Sequence, residues 1–95
     1  METKNATELV SDEAQGCFLE AQAQCEQGNV VGAIALLTKA IALDGNYVDA
    51  YLLRGRLLLA MGDKAGAAAD MQTVLKLDPN RLSAITGKFD NQGHL

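Results

Sequence analysis

The chain has 95 residues, of which 48% are apolar, 21% charged and 4% aromatic, a balance that suits one small folded domain and excludes both a disordered chain and several domains. No uninterrupted apolar stretch exceeds the five residues of Leu57 to Met61, far short of the roughly 20 that cross a membrane. The net charge is −4, and eight Lys and Arg are scattered from Lys4 to Lys88 without a run of them, so the clustered cations that bind nucleic acid are missing and neither nucleic acid nor a membrane is an expected partner.

In chain order, residues 1–8 are polar or acidic and read as a frayed end, and no basic start followed by an apolar stretch marks a secretory signal, so a cytoplasmic location is the default expectation. Residues 1–26 hold six acids against Lys4, which places any anionic field at this end. Thr7 or Ser11 is positioned to cap a first helix, expected over about 12 to 27. Cys17 and Cys25, eight residues apart on it, would stand about 12 Å apart along the axis, beyond disulfide reach, and read as free thiols in small, half-buried positions. The lone histidine, His94, and the absence of a CxxC pair leave no zinc site and no Cys/His catalytic arrangement. No metal or cofactor is expected.

The first apolar segment runs into Gly28-Asn29, and a second runs to Leu43-Asp44-Gly45. A third runs into Gly62-Asp63 and a fourth to Leu77-Asp78-Pro79. Glycine ends helices while Asn and Asp start them, so further helices are expected over about 30 to 44, 48 to 61 and 64 to 77. A fifth is expected over about 81 to 90, where Leu82, Ile85 and Phe89 form one apolar stripe suited to covering the end of the molecule, followed by an undocked tail at 91–95.

Laid over itself at an offset of 34, the chain repeats: Leu19/Leu53, Gly28/Gly62, Gly32/Gly66, Ala33/Ala67, Ala35/Ala69, Leu43/Leu77, Asp44/Asp78 and Asn46/Asn80 coincide. Asn29/Asp63, Ala21/Gly55, Leu37/Met71 and Ile41/Leu75 match in kind. The chain is therefore two copies of a helical hairpin, an all-α arrangement. Small residues at Ala21, Ala33, Gly55 and Ala67 allow close helix crossings. Gly32 and Gly66 admit two readings, close approach or tolerance on a solvent-facing side.

The second copy, with Tyr51, Gly55, Leu58, Gly62-Asp63, Ala67, Met71 and Asp78-Pro79 at their spacings, resembles a tetratricopeptide repeat; Val74, bulkier than the usual alanine, and Arg54, where leucine is commoner, depart from the pattern. The first copy resembles it more weakly: Ala21, Gly28, Ala33, Leu37, Ala40 and Asp44 match, whereas Cys17, Glu20, Gln24 and Gly45 do not. Either Glu20 and Gln24 face water there, or the register of that helix is off by one. The resemblance implies a right-handed α-solenoid of two helical hairpins with a fifth capping helix, in one domain: repeat 1 about 14–47, repeat 2 about 48–81, capping helix about 81–90.

The helix from Val48 is apolar nearly all round. At 100° per residue Tyr51, Gly55 and Leu58 share the face toward the hairpin partner, while Asp49, Leu52, Leu53, Arg56 and Leu59 share another. The resemblance implies that this second face lines a concave groove, with Phe18, Leu19, Gln22 and Glu26 of the first copy beside it. An apolar patch of Phe18, Leu19, Leu52, Leu53 and Leu59, rimmed by Glu26, Asp49 and Arg56, predicts a protein-protein interaction module that takes a peptide or helix of a partner protein, a scaffold and not an enzyme. A homodimer through the same patch is the alternative, as is internal cover by the chain ends. The family members that clamp a chaperone's C-terminal carboxylate use lysine and asparagine where this chain has Phe18, Gln22, Leu53, Ser83 and Gly87, which argues against that ligand. No strand or Gly-rich phosphate loop supports catalysis.

Overall fold

The computed structural model describes residues 11–81. Within them the chain forms four helices, α1 (Asp12–Glu26), α2 (Val30–Leu43), α3 (Val48–Ala60) and α4 (Lys64–Leu77), with no strand among the described residues. The fold is all-α. The expected frayed end at 1–8, the capping helix beyond Arg81 and the tail at 91–95 lie outside the described residues. Helical backbone resumes at 79–81.

Local chemistry sets the boundaries. Ser11 Oγ accepts from the Ala14 amide at 3.1 Å, Asn29 Oδ1 from Gly32 at 3.0 Å and Asp63 Oδ1 from Gly66 at 2.9 Å, each satisfying an amide with no partner inside its helix. α3 starts after Tyr47 without a side-chain cap, with Asp49 in its first turn. Gly28 (φ +83°) and Gly62 (φ +90°) take the left-handed conformation that closes a helix. The next amide bonds back across the turn in both copies: Asn29 N to Gln24 O and Asp63 N to Leu58 O, each 2.8 Å. The two hairpin turns are thus the same Schellman turn made twice.

Gly32 and Gly66 sit beside their own caps. A Cβ at Gly32 would stand 2.5 Å from Asn29 Nδ2, and one at Gly66 would stand 2.5 Å from Asp63 Oδ2. The nearest neighbour of each glycine is thus the movable end of the capping side chain of its own helix, and not a second helix.

Packing follows chain order: α1 on α2, α3 on α4, and α2 on α3. The core runs along the first hairpin into α3 through Ala14, Cys17, Ala21, Ala33, Leu37, Ala40, Tyr47 and Ala50, with Phe18, Leu36, Leu53 and Leu57 packed against it. Alanine at the contacts brings the helices close enough for Leu37 to be fully enclosed. Cys17 is buried at the position matching Tyr51, Ala21 is buried and Glu20 is exposed, so the register of α1 is the one aligned at the offset of 34. Gln24 is half-buried, and its Oε1 accepts from Asn29 Nδ2 at 2.7 Å.

In the second hairpin Gly55 is the point of closest approach: a Cβ there would collide with Met71 Cε and lie 3.2 Å from Asp70 Cβ. Beside it, Arg54 departs from the family pattern for a visible reason. Its guanidinium donates from Nε and Nη2 to Asp70 Oδ2 and Oδ1 at 2.8 and 2.7 Å, and Nη1 donates to Thr38 Oγ1 on α2 at 3.2 Å. Asp70 is 4% exposed. The paired carboxylate raises the Arg54 pKa further above its ordinary value, against the lowering effect of burial.

Candidate functional site

α1 and α3 stand in corresponding places in their hairpins, and an open groove lies between them. Phe18 and Gln22 from α1 and Asp49, Leu52, Leu53 and Arg56 from α3 line a cavity of about 270 Å³. Phe18, Leu52 and Leu53 are half-buried and form its floor, whereas Gln22, Asp49 and Arg56 are exposed. The helical period explains the set: positions 18 and 22 fall one turn apart, as do 49, 52, 53 and 56.

The floor is fixed from below. The Phe18 ring meets the Tyr47 ring at 5.2 Å between centroids, tilted by 38°, and Tyr47 is only 7% exposed. Aromatic pairs in this range hold each other's orientation. The sequence reading passed over Tyr47, since it sits in the link between the copies; its signal is an aromatic residue in a segment otherwise made of Asp44, Gly45 and Asn46. Burial, then the neighbouring charges of Asp49 and Asp44, push the Tyr47 phenol above its ordinary pKa of 10.0, so the ring is neutral wherever the protein functions. Tyr51, on the opposite side of α3 from the groove, donates from Oη to the Gly45 carbonyl at 2.9 Å and ties the link down.

At the rim, Arg81 Nη1 donates to Asp49 Oδ1, and the Arg81 Nε lies 3.9 Å from Asp78 Oδ2. The bond to Asp49 leads in raising the Arg81 pKa. This partner of Asp49 was not foreseen, although Arg81 occupies the slot 34 positions after Tyr47; the link after the first copy sends Tyr47 onto Phe18 of α1, and the segment after the second sends Arg81 onto Asp49 of α3. Arg56 makes no ion pair among the described residues.

Of the nine groove residues expected from the sequence, the cavity brings together Phe18, Gln22, Asp49, Leu52, Leu53 and Arg56. Leu19 and Leu59 stand outside the lining, each 57% exposed, and Glu26 is exposed one turn beyond Gln22. The arrangement offers burial and hydrogen bonds to a ligand. Among the described residues no three or more His, Cys, Asp or Glu are grouped to hold a metal, Cys17 and Cys25 are free thiols, and no helix is long and apolar enough to cross a membrane.

A comparison with known proteins matches residues 24–88 to the profile of the tetratricopeptide repeat, roughly two thirds of the chain. RNA polymerase II-associated protein 3 of Xenopus tropicalis is similar at 49% identity over 45 residues, covering 47% of this chain and 7% of that protein. The chain thus corresponds to a small part of that relative's length.

Proposed function

The chain belongs to the tetratricopeptide repeat family, and from that premise we propose that it takes an amphipathic helical segment of a partner protein into the groove between α1 and α3. Tetratricopeptide repeats are generally protein-interaction modules. The observation that carries the finer reading is the groove floor: Phe18, Leu52 and Leu53 lie half-buried between two helices, under a rim of Gln22, Asp49 and Arg56. Exposed Leu19 and Leu59 extend the apolar surface beyond it. Contiguous apolar surface of this kind marks interfaces, and a cavity of about 270 Å³ is the right size for one or two aliphatic anchors of a helix carrying them at i, i+3 and i+4. The similar protein is named for its association with RNA polymerase II, which is in keeping with a part in protein association. Two free thiols suit a reducing, cytoplasmic setting.

The test is a heteronuclear NMR titration of the 95-residue chain with helical peptides bearing leucine at i, i+3, i+4 and i+7. Shifts confined to Phe18, Gln22, Leu52, Leu53 and Arg56, and abolished in Leu53→Glu with the fold intact, are expected. Peptides that shift nothing at millimolar concentration overturn the reading. Sedimentation equilibrium across dilution separates it from self-association through the same patch, which predicts a dimer that Leu53→Glu dissociates.

A further inference from the structure

The charges at the two ends of the groove are unlike, and they specify more about the occupant than its apolar face. At the start of α3, Asp49 is held by Arg81, and Arg81 also lies 3.9 Å from Asp78. Two carboxylates share one guanidinium there, so that end is satisfied and carries a residual negative charge. Seven positions along α3, about 10 Å further on, Arg56 lines the same cavity. It is exposed and has no ion-pair partner among the described residues. The polar residue that α1 contributes to the same lining is Gln22, a neutral amide that neither repels nor neutralises a ligand's charge. The other arginine of α3, Arg54, is already committed to Asp70 and Thr38 on the opposite side of the helix.

We propose that the partner helix carries a side-chain carboxylate about one turn from its apolar anchor, and that this carboxylate pairs with Arg56 while the anchor enters over Phe18, Leu52 and Leu53. The proposal rests on the groove reading above. Among the residues that line the cavity, the residual negative charge at Asp49, shared with Asp78, sets the polarity: an acid on the ligand is repelled from that end and drawn to Arg56, while Glu26, one turn beyond Gln22, lies outside the lining. Arginine suits the role because its planar fork meets a carboxylate in two-point geometry. A chain with a net charge of −4 thereby selects an acidic segment through one local cation, which distinguishes the site from attraction by overall charge.

Fluorescence anisotropy with two labelled, hydrocarbon-stapled helices tests this. Both carry the same leucines; one has Glu and the other Lys a turn beyond the anchor, with amidated C-termini so that only a side chain supplies the carboxylate. The wild-type chain should bind the Glu helix about threefold more tightly at low salt, the effect of one exposed ion pair. The preference should vanish in Arg56→Gln, invert in Arg56→Glu, and fade toward 1 M salt. Equal binding of the two helices by the wild type, or tighter binding of the Lys helix, overturns the carboxylate assignment and leaves the groove reading standing. Failure of either helix to bind overturns both.

Discussion

The two hairpins share a turn, a spacing and a pattern of small residues, yet they are held together by different chemistry. In the first, Ala14, Cys17, Ala21, Ala33, Leu37 and Ala40 are all buried, and the contact is apolar throughout. In the second, Ala50, Ala67 and Val74 are the buried apolar residues, and Asp70 is buried with them, paired to Arg54. At the positions 34 earlier, Asp70 corresponds to Leu36 and Arg54 to Glu20; Leu36 packs against the core and Glu20 faces water. The same crossing is thus closed once by burial alone and once by burial together with a charge pair that makes two hydrogen bonds. A repeat fixes backbone geometry through its glycines and alanines and leaves the side chains flanking the crossing free to differ.

The largest expected effect comes from breaking the pair on one side only. Asp70→Ala strands a guanidinium whose side chain is 21% exposed, and should lower stability by about 2 to 3 kcal/mol, somewhat below the usual cost of an orphaned buried charge because water still reaches Arg54. The double variant Arg54→Leu with Asp70→Leu rebuilds the second hairpin in the apolar manner of the first and should return to within about 1 kcal/mol of the wild type. Urea midpoints measure both, and a double variant as unstable as Asp70→Ala would show that the pair contributes more than its own compensation.

Next in size is Gly55→Leu, expected to cost about 2 kcal/mol by overpacking against Met71 and Asp70. Ala21, at the matching place in the first hairpin, is buried where Leu37 and Leu36 stand in place of Met71 and Asp70, so one methyl is accommodated there. A Gly55→Leu variant with an unchanged thermal midpoint would refute the close crossing.

The smallest effect concerns the link. The Tyr47 phenol ionises above 10.0 in the folded chain, so its contribution to stability is complete below the pH at which an unfolded tyrosine titrates and is lost as pH rises through the higher folded value. Absorbance at 295 nm should show a phenol ionising on the alkaline side of pH 10, and that part of the titration should be missing in Tyr47→Phe.

Much of the fold was legible because its punctuation is chemical. Gly-Asn and Gly-Asp at 28–29 and 62–63 announce a helix end and a helix start in adjacent residues, and the four helices fall within a residue of the bounds they imply. The Arg54–Asp70 pair was not legible, because sixteen residues separate the partners and only the closeness at Gly55 brings them into reach. For the groove, helical angle alone selected Leu19, Glu26 and Leu59 along with the six lining residues. A helical wheel gives direction around an axis but not the tilt between axes, and tilt decides which residues on a face meet across a gap. Asp49 read as a rim charge, and its pairing with Arg81 was not legible because 32 residues separate the two.

Arg54 has one further consequence. Its guanidinium reaches Thr38 in the first hairpin and Asp70 in the second, so peeling either hairpin away abandons donors beside the half that remains. Such a rivet penalises partly melted species from both ends, and denaturation should pass from native to unfolded in a single step without pausing at a half-molecule.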